Sequence, residues 1–146
     1  MRIDCFKNNQ EWDDDVDIKN TNLLLEIVRN IGWPVISVFD ITAANAAMCI
    51  AIHADKTPIA QNHFLEKTTT VLDDITKSLF ANLYDRVNIR NTGYQKYGTQ
   101  VTLLNGKYVP LPIIDIKNVD KYRKQLGINQ SLDEYLSTFA DSLKSF

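Results

Sequence analysis

Asn105-Gly106 lies at the centre of YGTQVTLLNGKYVPLPI, a stretch in which apolar and polar residues alternate. Asparagine and glycine tolerate the positive φ that both central positions of a type I′ turn demand, so this stretch folds back on itself as a β-hairpin. A two-residue turn pairs Leu104 with Lys107, Val101 with Pro110 and Thr99 with Pro112. Both prolines then fall at non-hydrogen-bonded pairs, where a missing N–H breaks no bond within the ribbon. The same prolines place that strand at a sheet edge.

Around the hairpin the apolar residues recur at helical spacing. Leu23, Leu24, Ile27, Val28 and Ile31 mark a helix that follows a polar N-terminal arm (1–20) and stops at Gly32-Trp33-Pro34, with glycine as a left-handed cap and Trp33 as a packed anchor. A second helix is expected from about Ala43 to Ala54, capped by Thr42 or Asp40. Its small residues Ala43, Ala47, Ile50, Ala51 and Ala54 form one face that lets another helix approach closely. Thr57 caps a third helix with Pro58 at its first position, striped by Phe64, Leu65, Val71, Leu72 and Ile75. A fourth follows Ser78, carried by Leu79, Phe80, Leu83, Tyr84 and Val87. After the hairpin, Val119, Tyr122, Arg123 and Leu126 lead to Gly127 as a C-cap. Ser131 and Glu134 then form a capping box for a last helix along Leu132, Tyr135, Leu136, Phe139 and Leu143. The expected fold is mainly α (α+β), a compact helical bundle with one β-hairpin near residues 97–114.

The 146 residues suit one globular domain over 1–146, large enough for a core without staples. Hydrophobic residues are 45% and charged residues 23%, a globular balance. A net charge of −2 gives no electrostatic reason to expect nucleic acid, and no apolar run is long enough for a membrane span. Cys5 and Cys49 lie far apart in no metal-type spacing, and the first residues lack a secretory pattern, which points to a reducing cytoplasm.

Three stretches carry candidate chemistry. His53 stands near the end of the second helix, where unpaired carbonyls favour an imidazolium, and Asp55 just beyond it is placed to orient one ring nitrogen. Gln61 returns to the same end if the chain reverses at Thr57-Pro58. The alternative is that His53 and Asp55 simply tie off a helix end. In LYDRVNIR, Arg86 is a fork for carboxylate or phosphate with Asp85 setting its orientation; a solvated or structural ion pair is the competing reading. In YGTQ, Gly98 allows close backbone approach or an unusual dihedral, while Tyr97, Thr99 and Gln100 offer polar groups to a ligand or to neighbouring backbone. Weaker signals fail. The acidic run from Asp13 lacks the glycine of a calcium loop, and His53, Asp55 and His63 have no standard zinc spacing, so no metal is assigned. Lys117, Lys121 and Lys124 share a face that reads as solvated. No Gly-rich phosphate loop, G-x-S-x-G elbow or Cys-His nucleophile motif is present, and no cofactor is implied.

GWP at 32–34, HAD at 53–55 with Gln61, YDR at 84–86, YGTQ at 97–100, VD at 119–120 with Arg123, and Gly127 occur in an order that resembles the bacterial domain of unknown function 6624 family. The resemblance covers about residues 20–138 and departs at Ile52, where the family has glutamine before the histidine. It carries no activity with it. It implies that His53, Asp55, Gln61, Asp85, Arg86, Tyr97 and Gln100 belong to one polar site.

The functional expectation is a hydrolase or group transferase acting on a small anionic substrate. His53, Asp55 and Tyr97 would be the catalytic residues, and Gln61, Asp85, Arg86 and Gln100 would bind substrate. The alternative is a non-catalytic ligand-binding or partner-blocking protein, for which an exposed aromatic patch of Trp12, Tyr94 and Tyr108 would be the mark.

Overall fold

A computed structural model describes residues 13–143, with side chains to Ala140. It is mainly helical, with seven α-helices and one two-stranded antiparallel hairpin among the described residues. No helix there is long and apolar enough to cross a membrane. The chain divides into two compact units, 1–83 and 84–146; Trp12 lies outside the described residues.

The first unit opens with α1 (Asp14–Ile31). Asp13 caps it by accepting from the N–H groups of Asp15 (2.9 Å) and Val16 (3.4 Å), and Asp14, Asp15 and Asp17 set negative charge against its positive end. The polar stretch before Leu23 is therefore helical from Asp14 rather than an arm to residue 20: its carboxylates supply a cap and a favourable first turn. Gly32 ends the helix by donating to the Val28 carbonyl (3.0 Å). Its φ of 80° is positive but its ψ of −174° is extended, so it is not the left-handed cap expected, though equally a glycine conformation. Trp33 is buried with its ring edge-on to Phe64 at 5.8 Å.

A single turn, α2 (Ile36–Phe39), is tied by the amide and hydroxyl of Ser37, both donating to the Asp74 carboxylate. Asp40 then takes a positive φ (77°) and caps α3 (Ile41–Ile52) by accepting from the Ala43 N–H at 2.9 Å. The buried face of α3 is Ala44, Ala47, Met48, Ala51 and Ile52; Ala43 is exposed and Ile50 half-buried. The expected face is thus rotated, because an alanine-rich helix is apolar on nearly every side and its period does not choose one. The helix packs against α1, α2 and α4 (Pro58–Thr70). Pro58 holds the first position of α4 as expected, but the Thr57 hydroxyl makes no cap bond; the Thr57 carbonyl instead accepts from the Gln61 N–H (3.0 Å). Phe64 and Ile75 are buried and Leu65 is half-buried; Val71 and Leu72 are half-buried too, since α4 stops at Thr70 and a short 3-10 turn, Leu72–Asp74, follows.

Helix α5 (Lys77–Thr92) begins in the first unit and ends in the second. In the second unit, β1 (Val101–Leu104) and β2 (Lys107–Pro110) pair in the expected register, Leu104 with Lys107 and Val101 with Pro110. Asn105 and Gly106 both have positive φ, 49° and 74°, as a type I′ turn requires. Regular pairing stops short of Thr99 and Pro112; instead Gln95 forms an isolated bridge to Ile113. A short 3-10 turn, Ile116–Asn118, leads into α6 (Val119–Leu126), which ends on Gly127 in the left-handed conformation (φ 101°). The capping box opens α7 (Leu132–Leu143) in both directions: the Ser131 N–H donates to Glu134 (2.8 Å) and the Glu134 N–H to the Ser131 hydroxyl (3.2 Å). Helix α7 packs on β2, where the Tyr108 ring lies tilted against Phe139 with centroids 5.3 Å apart. Tyr108 is consequently half-buried, and of the expected aromatic patch only Tyr94 is exposed among the described residues.

Candidate functional site

In the first unit, the end of α3 is finished by His53, whose N–H donates to the Cys49 carbonyl at 3.2 Å. The four carbonyls of a helix C-terminus have no partner within the helix, and two here are met by a side chain from α4. The Gln61 amide nitrogen lies 3.1 Å from the Ala51 carbonyl, 3.0 Å from that of Ile52 and 3.1 Å from Asp55 Oδ1. Gln61 has no exposed surface. The reversal at Thr57-Pro58 therefore does bring Gln61 back to the helix end, where it satisfies backbone and fixes the Asp55 carboxylate. His53 and Asp55 are half-buried.

His53 also lines an open cleft of about 180 Å³. Cys49 and Ile50 accompany it from α3, and Asp17 and Asn20 come from α1. Imidazole, thiol, carboxylate and amide groups from two helices thus share one small concavity. Among the described residues no group of three or more His, Cys, Asp or Glu is placed to hold a metal ion.

In the second unit, the segment from Gln95 to Gln100 is almost wholly buried, and side chains meet its backbone groups one after another. Asp85, on α5 and with no exposed surface, accepts from the N–H groups of Lys96 (2.9 Å), Tyr97 (3.0 Å) and Thr99 (3.0 Å), and from the Thr99 hydroxyl (2.9 Å). Burial pushes its carboxyl above the ordinary carboxylate range, and these donors pull it back in part. Both oxygens face the segment, so Asp85 is not the group that orients Arg86, which is half-buried beside it. Gln95 bridges the hairpin's mouth: its amide nitrogen donates to the carbonyls of Gln100 and Leu111, both at 2.9 Å, and its oxygen accepts from the Gln100 N–H at 2.9 Å. The Tyr97 carbonyl accepts from Arg123 (2.8 Å), whose guanidinium also donates to the Gln130 carbonyl and lies over the Tyr135 ring. The Tyr135 hydroxyl donates to the Thr99 carbonyl (2.9 Å).

Gly98 sits at φ 74°, which favours glycine, and a Cβ there would meet Leu132 Cδ1 at 2.7 Å, so a side chain would also require the end of Leu132 to shift. Tyr97 is buried with its ring edge-on to Tyr84 at 5.4 Å; desolvation first, then Tyr84 and Asp85, push its phenol up to about 12. The Gln100 side chain is buried and donates to the Thr99 hydroxyl at 3.1 Å.

Of the residues singled out in the sequence, the structure joins Asp55 and Gln61 at the end of α3 with His53, and joins Asp85, Tyr97 and Gln100 around one segment of the second unit. Gln95 was missed. A glutamine between a helix and a strand carries no local mark, and only the carbonyls of Gln100 and Leu111 reveal its role. Cys49, Asp17 and Asn20 were missed as cleft residues because α1 and α3 meet only through tertiary packing.

These features define a mainly helical protein in which polar signature residues are concentrated at a helix end and a buried turn. The chain belongs to the Family of unknown function (DUF6624), which matches residues 11–144. Neither a curated protein nor a solved structure matches it.

Proposed function

We propose that the protein is an enzyme, a hydrolase or group transferase for a small anionic substrate, with His53 taking and returning the proton. The placement of His53 supports this most: a half-buried imidazole at a helix end, on the wall of an open cleft that Asp17 and Cys49 also line. Imidazole's ordinary pKa near 6.5 suits it to act as base and then as acid at neutral pH. Asp55, held by Gln61, is the neighbouring carboxylate. In the second unit, Arg86 is a separate candidate for holding a carboxylate or phosphate, since a guanidinium presents a planar fork to such groups. A phenol pushed up to about 12 stays protonated near neutrality, so Tyr97 would act as a donor rather than a base. Gln61, Asp85 and Gln100 act as positioning residues. A reducing cytoplasm fits a chain whose two cysteines, Cys5 and Cys49, lie far apart in sequence.

The test is a turnover screen of the purified chain with p-nitrophenyl esters and phosphomonoesters, repeated with His53→Gln. The expected result is loss of at least about 100-fold in kcat with an unchanged fold, the usual scale for removing a general acid–base group. Undiminished turnover in His53→Gln would refute the assignment. A binding module without chemistry is the second reading, favoured by the way Gln61 and Asp85 direct their polar atoms to backbone. Under it the parent binds an anionic ligand, seen by calorimetry, and turns over none of the probes.

A further inference from the structure

We infer that Lys96 is an anion-binding residue, its ammonium held ready for the oxyanion head group, phosphate or carboxylate, of a small ligand. The inference goes beyond the reading of His53 and rests on residues of the second unit alone. The Lys96 ammonium lies 4.9 Å from the centroid of the Tyr122 ring and 5.4 Å from that of Tyr97. Both distances are within the reach of a cation–π attraction. Lys96 is half-buried, and among the described residues no carboxylate forms an ion pair with it.

The cluster is fixed on every side. The Lys96 N–H donates to Asp85 at 2.9 Å and the Tyr97 N–H to the same carboxylate at 3.0 Å. The Tyr97 ring rests edge-on against Tyr84 at 5.4 Å. The Tyr122 hydroxyl donates to Asp115 at 2.9 Å, which anchors the second ring. Asp115 also accepts from the Asn118 amide at 2.9 Å, so it serves these two groups rather than the lysine.

A lysine side chain ordinarily keeps its rotamer freedom by staying in water. Here two ring faces hold the charge through their quadrupoles, and a ring face offers no oxygen to the ammonium. The charge is therefore not neutralised, and its three N–H donors have no oxygen acceptor from the protein among the described residues. The Tyr97 hydroxyl is a second donor of this cluster with no acceptor among the described residues; Tyr97 is bonded through its N–H and carbonyl. An ammonium meets phosphate or carboxylate oxygens as a point charge, without the planar approach that arginine demands. Over 84–146, nine lysines and arginines stand against six aspartates and glutamates, so the field of this unit favours the approach of an anion.

The test titrates inorganic phosphate, and separately acetate, into the whole chain at fixed ionic strength, with backbone amide signals followed by NMR. The expected result is a saturating shift centred on Lys96 and Tyr97. Tighter saturation by phosphate assigns a phosphate head group and the reverse order a carboxylate, and either supports the inference. Lys96→Met keeps the stem against the rings and removes the charge. It should weaken binding by about 10-fold or more, the scale of one charge-assisted hydrogen bond. Tyr122→Leu keeps the ammonium but removes one ring, and should weaken binding by about 2- to 5-fold. His53→Gln, and Lys121→Met on the exposed side of α6, should bind as the parent does. Shifts that rise without saturation in both arms of the parent titration, which needs no variant, would overturn the inference. Undiminished binding in Lys96→Met would overturn it too. Equal weakening in Lys121→Met and Lys96→Met would reduce the effect to overall charge and overturn it as well. Binding lost in His53→Gln but kept in Lys96→Met would overturn it while leaving the reading of His53 standing.

Discussion

Gly98 and Gly106 share a φ of 74°, yet a side chain at each would meet different surroundings. At Gly106 an added Cβ finds nothing within 4 Å, so an alanine there suffers only the cost of a left-handed residue, roughly 1–2 kcal/mol. At Gly98 the same cost is joined by a contact of 2.7 Å with Leu132 Cδ1. Gly98→Ala should therefore destabilise clearly more than Gly106→Ala in urea unfolding, and equal losses would show that the Leu132 side chain moves aside freely. Tyr97 gives a pH prediction. Its phenol ionises near 10 when unfolded and at about 12 when folded, so the folded state holds the proton longer. Its contribution is intact below pH 10 and lost as pH rises toward 12. Burial shifts Tyr135 in the same direction. Stability followed by denaturant unfolding from about pH 9 to about pH 11.5 should fall, and fall less steeply in Tyr97→Phe. Parallel curves for the two proteins would contradict the burial argument. At this scale the sequence was informative where chemistry is local. A glycine inside YGTQ marks an unusual dihedral by itself, whereas nothing in LYDR shows that Asp85 turns inward to three N–H groups from residues 96–99.

Elements were most legible where their ends are specified by neighbours in sequence. The Asn105-Gly106 turn, the Ser131–Glu134 box and Pro58 at a helix start each depend on residues within four positions, and each is present. The facing of α3 is a different kind of question. Its alanines offer apolar surface on every side, and only the helices packed on it select Ala44, Ala47, Met48 and Ala51 for burial. Ala47 keeps 5% of its surface, so Ala47→Leu adds volume where none is free and should cost roughly 1–3 kcal/mol. Ala43→Leu, on the exposed side, should change stability by no more than about 0.5 kcal/mol. Thermal unfolding of the pair checks the rotation: equally large losses at both positions would restore the face read from the sequence, which held Ala43 and Ala47 together. The hairpin's short reach has a similar origin. Alternation continues past β1 and β2, and the Leu111 N–H still donates to the Gln100 carbonyl, but Gln95 takes up the Gln100 N–H and the Leu111 carbonyl that would have completed the pair.

At the scale of the molecule, polar signature residues do two kinds of work. One set holds backbone: Gln61 at the end of α3, and Asp85, Gln95 and Arg123 around residues 95–100. The other set, centred on His53, lines an open cleft. The sequence nominated His53, Gln61 and Asp85 alike, and passed over Gln95, because residue type is the same whichever work a side chain does. It could not divide them, because the division is decided by whether a side chain meets a carbonyl, an N–H or open space. Thermal unfolding of Asp85→Ala beside His53→Gln tests that division most directly. Removing the Asp85 carboxylate leaves the N–H groups of Lys96, Tyr97 and Thr99 without their acceptor. At roughly 1–3 kcal/mol for each buried unsatisfied group, the loss should reach about 3 kcal/mol or more. For a chain of this size that is a fall in Tm of roughly 10 °C. His53→Gln should unfold within about 2 °C of the parent, as a cleft-lining substitution does. A His53→Gln variant that melts as early as Asp85→Ala, or an Asp85→Ala variant that melts with the parent, would contradict the account.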